Sequence, residues 1–402
     1  KYFDTILYEG NGGGQRVGAF QPFDNAFTVG NGALFNGTDQ SLTKTFGSAG
    51  NQKTWTYSTW AKISKRGDFA FMATASYTTA FQTTSPAGED NQLLFFLVSG
   101  ASFPMYLRTS LNISDYSQWQ HFMVVYDSTE STSTDRGKIY HNGVQLTTWA
   151  QTAVYPSLNL DSGWNGTVEQ SIGKRDSGYY FNGYMAETVF IDGLALTPSS
   201  FGQTDTSTNR WIPKDVTGLT YGTNGFYLDY SDSSDMGEDQ ENSNDWTNSN
   251  TVTQSTDSPT TNWATIDDNN SFGGASALSE GNLRISGSAA TITCNRLSTL
   301  GLSSGKWIIA SRPNSELGYN CGLYVANEAG VASNTTTIWS DTSGNYIGID
   351  GLAVDQLRSQ VGAGATLVVP SPDFEAGVDY LLVALDADNN KVYRGWYDVG
   401  AD

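Results

Sequence analysis

An all-β fold, built as tandem β-sandwiches, is what this chain of 402 residues predicts, and three observations carry that expectation. Aromatic residues make up 13% of the chain and glycines number 43, while charged residues reach only 15%. With Thr, Ser and Asn recurring throughout, this is the profile of short half-buried strands joined by polar turns. Apolar residues alternate with period two in many places, and sustained helical periodicity is hard to find. Length adds that the chain is too long for one compact core, so two or three domains are expected.

Taken in order, residues 1–24 read as an N-terminal arm mixing apolar side chains with glycines, "KYFDTILYEGNGGGQRVGAF" among them. Gly-Asn-Gly at 30–32 and Asn36-Gly37 mark turns. "TWTYSTWAKIS" (54–64), "QHFMVVYD" (120–127), "GKIYHNGVQL" (137–146) and "GYMAETVFIDG" (183–193) read as strands. Asn142-Gly143 between apolar flanks signals a two-residue hairpin, because both turn positions need positive φ. "TPSSFG" predicts a short helical turn, with Pro198 pre-set at its start. In "QHFMVVYD", Phe122, Val124 and Tyr126 share one face and Met123 and Val125 the other, so this strand should be central and covered on both sides. These patterns place a first β domain at 25–224.

Composition then changes. "DYSDSSDMGEDQENSND" (229–245) carries seven carboxylates and no base, and the polar stretch continues to about 274. Residues 225–276 therefore read as an acidic polar connector. Strand patterns resume in "GNLRIS", "GKWIIAS", "CGLYVAN", "YIGIDG", "TLVVP" and "DYLLVALDADNNKVYRGWYD", which define a second sandwich at 277–402.

A formal charge of −20, from 41 acidic against 21 basic residues, would repel phosphate backbones, so nucleic acid is excluded as a partner. No apolar run reaches the length that spans a bilayer, and no signal peptide opens the chain. Two cysteines, Cys294 and Cys321, suit free thiols better than a disulfide-stapled fold. Two histidines, His121 and His141, supply neither a zinc cluster nor a hydrolase triad.

Four pieces in fixed order carry a resemblance: "WTYSTWAKIS", "WQHFMVVYD", "GKIYHNGVQL" and "SIGKRDSGYYFNGYMAETVFIDGLALTPSSF". This series resembles the laminin-G-like, or concanavalin A-like, jelly roll over roughly residues 30–205. Glu187 matches the glutamate that closes the family's last strand motif, with Ala186 where the family carries Asp. The resemblance implies a structural Glu187, hydrogen-bonded or at a sheet edge, with a ligand contact as the other reading. "NRWIPKDVTGLTYGTNGFYLDYSDSSDMGEDQENSNDWT" and "DTILYEGNGGGQ" resemble segments of tailed-bacteriophage tail proteins, and the region from Ala277 resembles a SPRY-type sandwich. There "IIASRP" departs from the family's glutamate-bearing strand, and "KVYRGWYDVGAD" stops where the family would continue, so the second sandwich is expected to be incomplete.

Catalysis by paired carboxylates needs a second acid about 5–10 Å across a cleft. The nearest text to the relatives' Glu-x-Asp-x-x-Glu strand is "GEDQEN" (237–242), which lacks strand alternation, so no enzyme is expected. Candidate ligand contacts are Tyr179, Tyr180 and Phe181, which could stack on sugar rings, together with Glu187. Asp229, Asp232 and Asp235 recur every three residues and are the candidate ligands for calcium, the one cofactor considered. What the resemblance implies is a non-enzymatic virion component, located on the virion and extracellular: a tail fibre or tail-associated receptor-binding protein contacting host surface glycans. The alternatives are a head fibre, decoration or adaptor protein binding other virion subunits, and a secreted carbohydrate-binding module. The resemblance further implies a homo-oligomer, a trimer, although no heptads or interlocking repeats encode one.

Overall fold

The computed structural model describes residues 27–273, apart from 76–77, 87–90, 177 and 207, and separate stretches between 277 and 397. The expected arm, residues 1–24, lies outside the described residues. The chain divides into two compact units, one of residues 21–268 with 278–284 and one drawn chiefly from 285–402.

Strands of the first unit are numbered along the chain. One sheet runs in the order β10 (Val144–Leu146), β9 (Gly137–His141), β8 (Gln120–Asp127), β3 (Thr54–Ile63), β12 (Asn182–Asp192), β1 (Gly32–Asn36) and β17 (Thr253–Ser255). A further strand, β15 (Phe226–Leu228), pairs with β12. The other sheet runs β16 (Thr247–Ser249), β2 (Ser41–Lys44), β11 (Gln170–Ile172), β4 (Ala70–Thr74), β5 (Thr79–Thr84), β6 (Gln92–Ser99) and β7 (Ser102–Arg108). A separate hairpin joins β13 (Gly202–Thr204) to β14 (Trp211–Pro213).

The core lies between the sheets. Trp55, Tyr57, Phe122, Val124 and Tyr126 from one sheet meet Phe71, Phe81, Leu93 and Phe95 from the other. Trp55 stacks on Tyr126 at 5.4 Å and lies 4.8 Å from Trp164. Truncating one such ring to alanine typically costs about 3–5 kcal/mol.

The reverse face of the first sheet is also covered. Met123, Val125, Val189 and Ile191 pack with Phe201, Val216, Tyr221 and Tyr227, while Trp60 and Trp119 join Val29, Tyr184 and Ala186. Strand β8 therefore sits between β9 and β3 with both faces buried, as its doubly apolar pattern predicts. The Asn142-Gly143 hairpin is present, with φ of 47° and 79° and Val144 opposite His141. So is the short turn Pro198–Ser200.

Two expectations need correcting. The stretch read as a connector from 225 instead supplies β15, β16 and β17, which pair with β12, β2 and β1. Its strands are only three residues long, too short for their alternation to stand out among polar turns. The second concerns β12, which reads as one regular strand, so that period two would put Met185, Val189 and Ile191 on one face. A register shift between Ala186 and Val189 breaks the alternation, leaving Met185 in the main core and Val189 and Ile191 on the reverse face.

The second unit is also β throughout its described stretches. Lys306–Ser311, Tyr380–Asp386 and Lys391–Tyr397 form a three-stranded sheet. Asn320–Tyr324, Tyr346–Asp350, Gln356–Ser359 and Leu367–Pro370 form one of four strands.

Candidate functional site: the outer face of the seven-stranded sheet

Because Phe81, Phe95, Met105 and Leu107 point into the core, their neighbours along β5, β6 and β7 point outward. Register brings these neighbours into rows. Gln82 lies opposite Leu94, and Leu94 opposite Arg108; Ala80 lies opposite Phe96, and Phe96 opposite Tyr106. Ala73, Ala80, Leu94 and Phe96 form a buried cluster on this face, with Val98 and Tyr106 packed against it.

The segment between β11 and β12 folds back along the sheet. Gly173 donates to the Phe71 carbonyl at 3.0 Å, and Ala70 donates to the Tyr179 carbonyl at 3.3 Å. Gly173 takes a φ of +78°, and a Cβ there would come within 2.5 Å of the Phe35 ring. This course lays Arg175 flat against the sheet. Its guanidinium carbon is 3.4 Å from the Tyr179 ring centroid and 5.9 Å from that of Phe96, and Nη1 donates to Gln82 Oε1. Phe96 makes an edge contact with Phe103 at 6.1 Å, and Phe103 another with Tyr106 at 5.4 Å.

The result is a continuous strip from Tyr179 through Arg175 and Phe96 to Phe103 and Tyr106. Phe103 is 45% exposed, so the strip reaches solvent at that end. Nearby, Arg108 Nε donates to Gln92 Oε1 at 2.7 Å. Arg175, Gln82 and Phe96 are buried and form the support of the strip, so the ring area open to a ligand is Phe103 with the half-buried Tyr106 and Tyr179. Such rings suit the C–H face of a ring-shaped, hydroxyl-bearing ligand.

Of the expected site residues, Tyr179 and Tyr180 lie half-buried on this loop, with Lys174 Nζ 5.9 Å from the Tyr180 ring. Phe181, expected to be exposed, is instead fully buried, 5.4 Å from Phe71 and 5.9 Å from Phe35. Strand β12 begins just beyond it and turns its ring inward. Arg175 and Phe103 went unremarked in the sequence, because the strip forms only when a loop folds across four paired strands.

Glu187 is not part of this face. It sits in the β12 bulge at φ +49°, 5% exposed, and accepts a hydrogen bond from the Tyr227 hydroxyl at 2.8 Å. Burial pushes its carboxyl up to about 8, partly countered by the Tyr227 hydrogen bond. Beside it, Tyr230 donates to Thr188 Oγ1 at 2.8 Å, and Thr188 Oγ1 lies 2.9 Å from Thr59 Oγ1. That arrangement holds a bulge; it presents no carboxylate to a cleft.

Asp229, Asp232 and Asp235 each cap their own turn. Asp229 accepts from Ser231 N at 2.9 Å, Asp232 from Ser234 N at 2.7 Å, and Asp235 from Gly237 N at 3.1 Å. Among the described residues, no three Asp, Glu, His or Cys side chains gather as a metal-ion site. The organising group of the acidic segment is Asp239, which was not singled out. Its carboxylate accepts the backbone N–H groups of Tyr227, Glu241, Asn242 and Asn244 at 2.8–3.1 Å.

Comparison with curated proteins gives no match. Among solved structures, the chain is similar to a SAP-like pentraxin from Limulus polyphemus, 17% identical over 43% of this chain and 80% of that one, with a TM-score of 0.32. It is also similar to domain 4 of an extracellular arabinanase from Geobacillus stearothermophilus, in complex with arabinotriose: 19% identity, 44% and 76% coverage, TM-score 0.30. Full-length tailspike protein 2 from an Escherichia coli O157:H7 bacteriophage is 11% identical over 44% of this chain and 28% of that one, with a TM-score of 0.29. Residues 35–201 match the concanavalin A-like lectin/glucanases superfamily through its laminin G family. With two antiparallel sheets enclosing an aromatic core, this part of the chain is a concanavalin A-like jelly-roll domain.

Proposed function

We propose that this chain is a non-enzymatic component of a tailed-bacteriophage virion, exposed on the particle, that contacts host surface glycans as a tail fibre or tail-associated receptor-binding protein. The observation that carries the binding role is the exposed Phe103 and the half-buried Tyr179, held in one strip by the buried Arg175 and Phe96. The virion assignment is supported by the resemblance of "DTILYEGNGGGQ" and of residues 209–247 to phage tail segments. In this reading the second unit is a SPRY-like sandwich. Residues 1–24 join copies into a trimer or attach them to other virion subunits. Binding uses stacking and hydrogen bonds without a resident cofactor, so chelation with EDTA leaves it unchanged.

The test is binding of the purified chain to immobilised surface polysaccharide from host cells. Tyr179→Ala and Phe103→Ala are each expected to weaken it about fivefold, from roughly 1 kcal/mol per stacked ring. Undiminished binding in both variants would remove this face from the proposal. Incubation with host polysaccharide and β-glucans should release no reducing ends; turnover abolished by Glu187→Gln would overturn the non-enzymatic reading. The exposed Phe103 and Val154 favour a second reading, in which the same face packs on virion subunits in a head fibre, decoration protein or adaptor. Variants that retain glycan binding but no longer join particles would decide for it. A secreted carbohydrate-binding module is the third reading, favoured by glycan binding without incorporation into particles.

A further inference from the structure

Far from that face, one buried pair is arranged for covalent chemistry. Lys62 lies on β3 beside Ala61 and Ile63, both in the main core, so its side chain leaves on the reverse face. There it is 1% exposed and meets Asp257, which follows β17 and is 3% exposed. Lys62 Nζ is 2.9 Å from Asp257 Oδ2 and also donates to the Trp263 carbonyl. The other carboxylate oxygen, Oδ1, accepts the Trp119 indole N–H at 2.7 Å and the Trp263 backbone N–H at 3.0 Å. Tyr184 places its ring 5.9 Å from Nζ, and Trp119 lies 6.2 Å from Tyr184. A Cβ at Gly32 would come 2.8 Å from the Asp257 carbonyl, so a glycine in β1 admits the segment.

We propose that Lys62 and Asp257 condense into an intramolecular amide cross-link. Burial among aromatic rings shields the pair from bulk water and holds Nζ 2.9 Å from the carboxylate. The Lys62 ammonium passes one proton to Oδ2, and the neutral Nζ then turns its lone pair from Oδ2 onto Cγ. Attack forms the Nζ–Cγ bond and places negative charge on Oδ1, where two N–H donors already sit in the manner of an oxyanion hole. A second proton moves from Nζ to the Oδ2 hydroxyl, the Cγ–Oδ2 bond breaks, and water leaves. The ammonium and carboxylate thus become one amide and one water, with no oxidant, reductant or further reactant. The bond ties the closing segment of the sandwich to its central sheet across 195 residues.

Intact mass of the wild-type chain, measured under denaturing conditions, tests this without requiring any variant to fold. The expected mass lies below the sequence mass by one water, and a proteolytic map joins a fragment containing Lys62 to one containing Asp257. Lys62→Met and Asp257→Leu should each restore the mass expected from sequence. A wild-type chain at full sequence mass, with the two fragments separate, would overturn the proposal and leave an ion pair only. So would a water deficit mapped elsewhere, such as a succinimide at Asp192-Gly193.

Discussion

Glu187 holds its backbone in the left-handed region, at φ +49° inside a strand, where a side chain with a Cβ is strained. Its carboxyl, raised to about 8 from 4.5 chiefly by burial, is protonated at neutral pH. The folded state therefore binds this proton more tightly than the unfolded chain. That contribution is complete below about pH 4.5 and is lost as pH rises through 8. The histidines act in the opposite sense: burial lowers His121 to about 3 and His141 to about 4, from 6.5. Their contribution is present above pH 6.5 and lost as pH falls through those values. Two imidazoles outweigh one carboxyl where the windows overlap, so these groups place maximum stability near pH 6.5. We expect Tm to decline between pH 6.5 and 8.5, and Glu187→Gln, which keeps an acceptor for the Tyr227 hydroxyl, to flatten that decline. An alkaline slope identical in wild type and variant would show that Glu187 does not set it.

Among the elements, the acidic segment 229–245 differs most from its appearance in sequence. Its seven carboxylates suggested a solvated connector, yet Asp239 draws four backbone N–H groups inward and fixes β15 against β12. Asp239→Ala should cost about 2–4 kcal/mol, since the buried Tyr227 N–H and three partly buried N–H groups lose a charged acceptor together. Hydrogen exchange at 240–246 should accelerate with it. Asp232→Ala, which frees only an exposed turn, should leave Tm unchanged. Equal effects of the two substitutions would contradict this division of roles. A chain ending at 224 should fail to fold, because β15, β16 and β17 each complete a ladder, whereas one ending at 284 should fold. Soluble, cooperatively melting protein from the shorter chain would refute that.

The same contrast marks what the sequence makes legible. Long alternating strands such as Gln120–Asp127, and the Asn142-Gly143 turn, declare themselves because their information is local. The bulge at Glu187 moves one residue of a regular pattern, and only pairing with β3 reveals it. Lys62 reads as a solvent-facing base until a segment 195 residues away covers it. Tyr179 was recognisable as a stacking candidate, but the strip it belongs to needed Arg175, Gln82 and Phe96 brought together by tertiary folding.

At the scale of the whole molecule, the charge of −20 opposes compaction. Among the described residues, surface ion pairs include Lys53–Asp161 at 3.9 Å, Lys138–Asp135 at 3.3 Å and Arg284–Glu280 at 2.9 Å, and such pairs contribute little. By contrast, Lys62–Asp257 is buried and out of reach of screening ions. Salt should therefore weaken repulsion among the excess carboxylates more than it weakens any attraction. We expect Tm to rise steadily as sodium chloride increases from about 10 mM to about 150 mM, as the Debye length falls from about 30 Å to about 8 Å. The rise should be smaller near pH 4, where many exposed carboxylates are protonated and the net charge is reduced. Magnesium or calcium at matched ionic strength should reproduce the effect of sodium, because Asp229, Asp232 and Asp235 each accept a backbone N–H of their own turn. A Tm that falls with sodium chloride would mean that attractive pairs govern the surface, and a jump specific to calcium would restore Asp229, Asp232 and Asp235 as ligands.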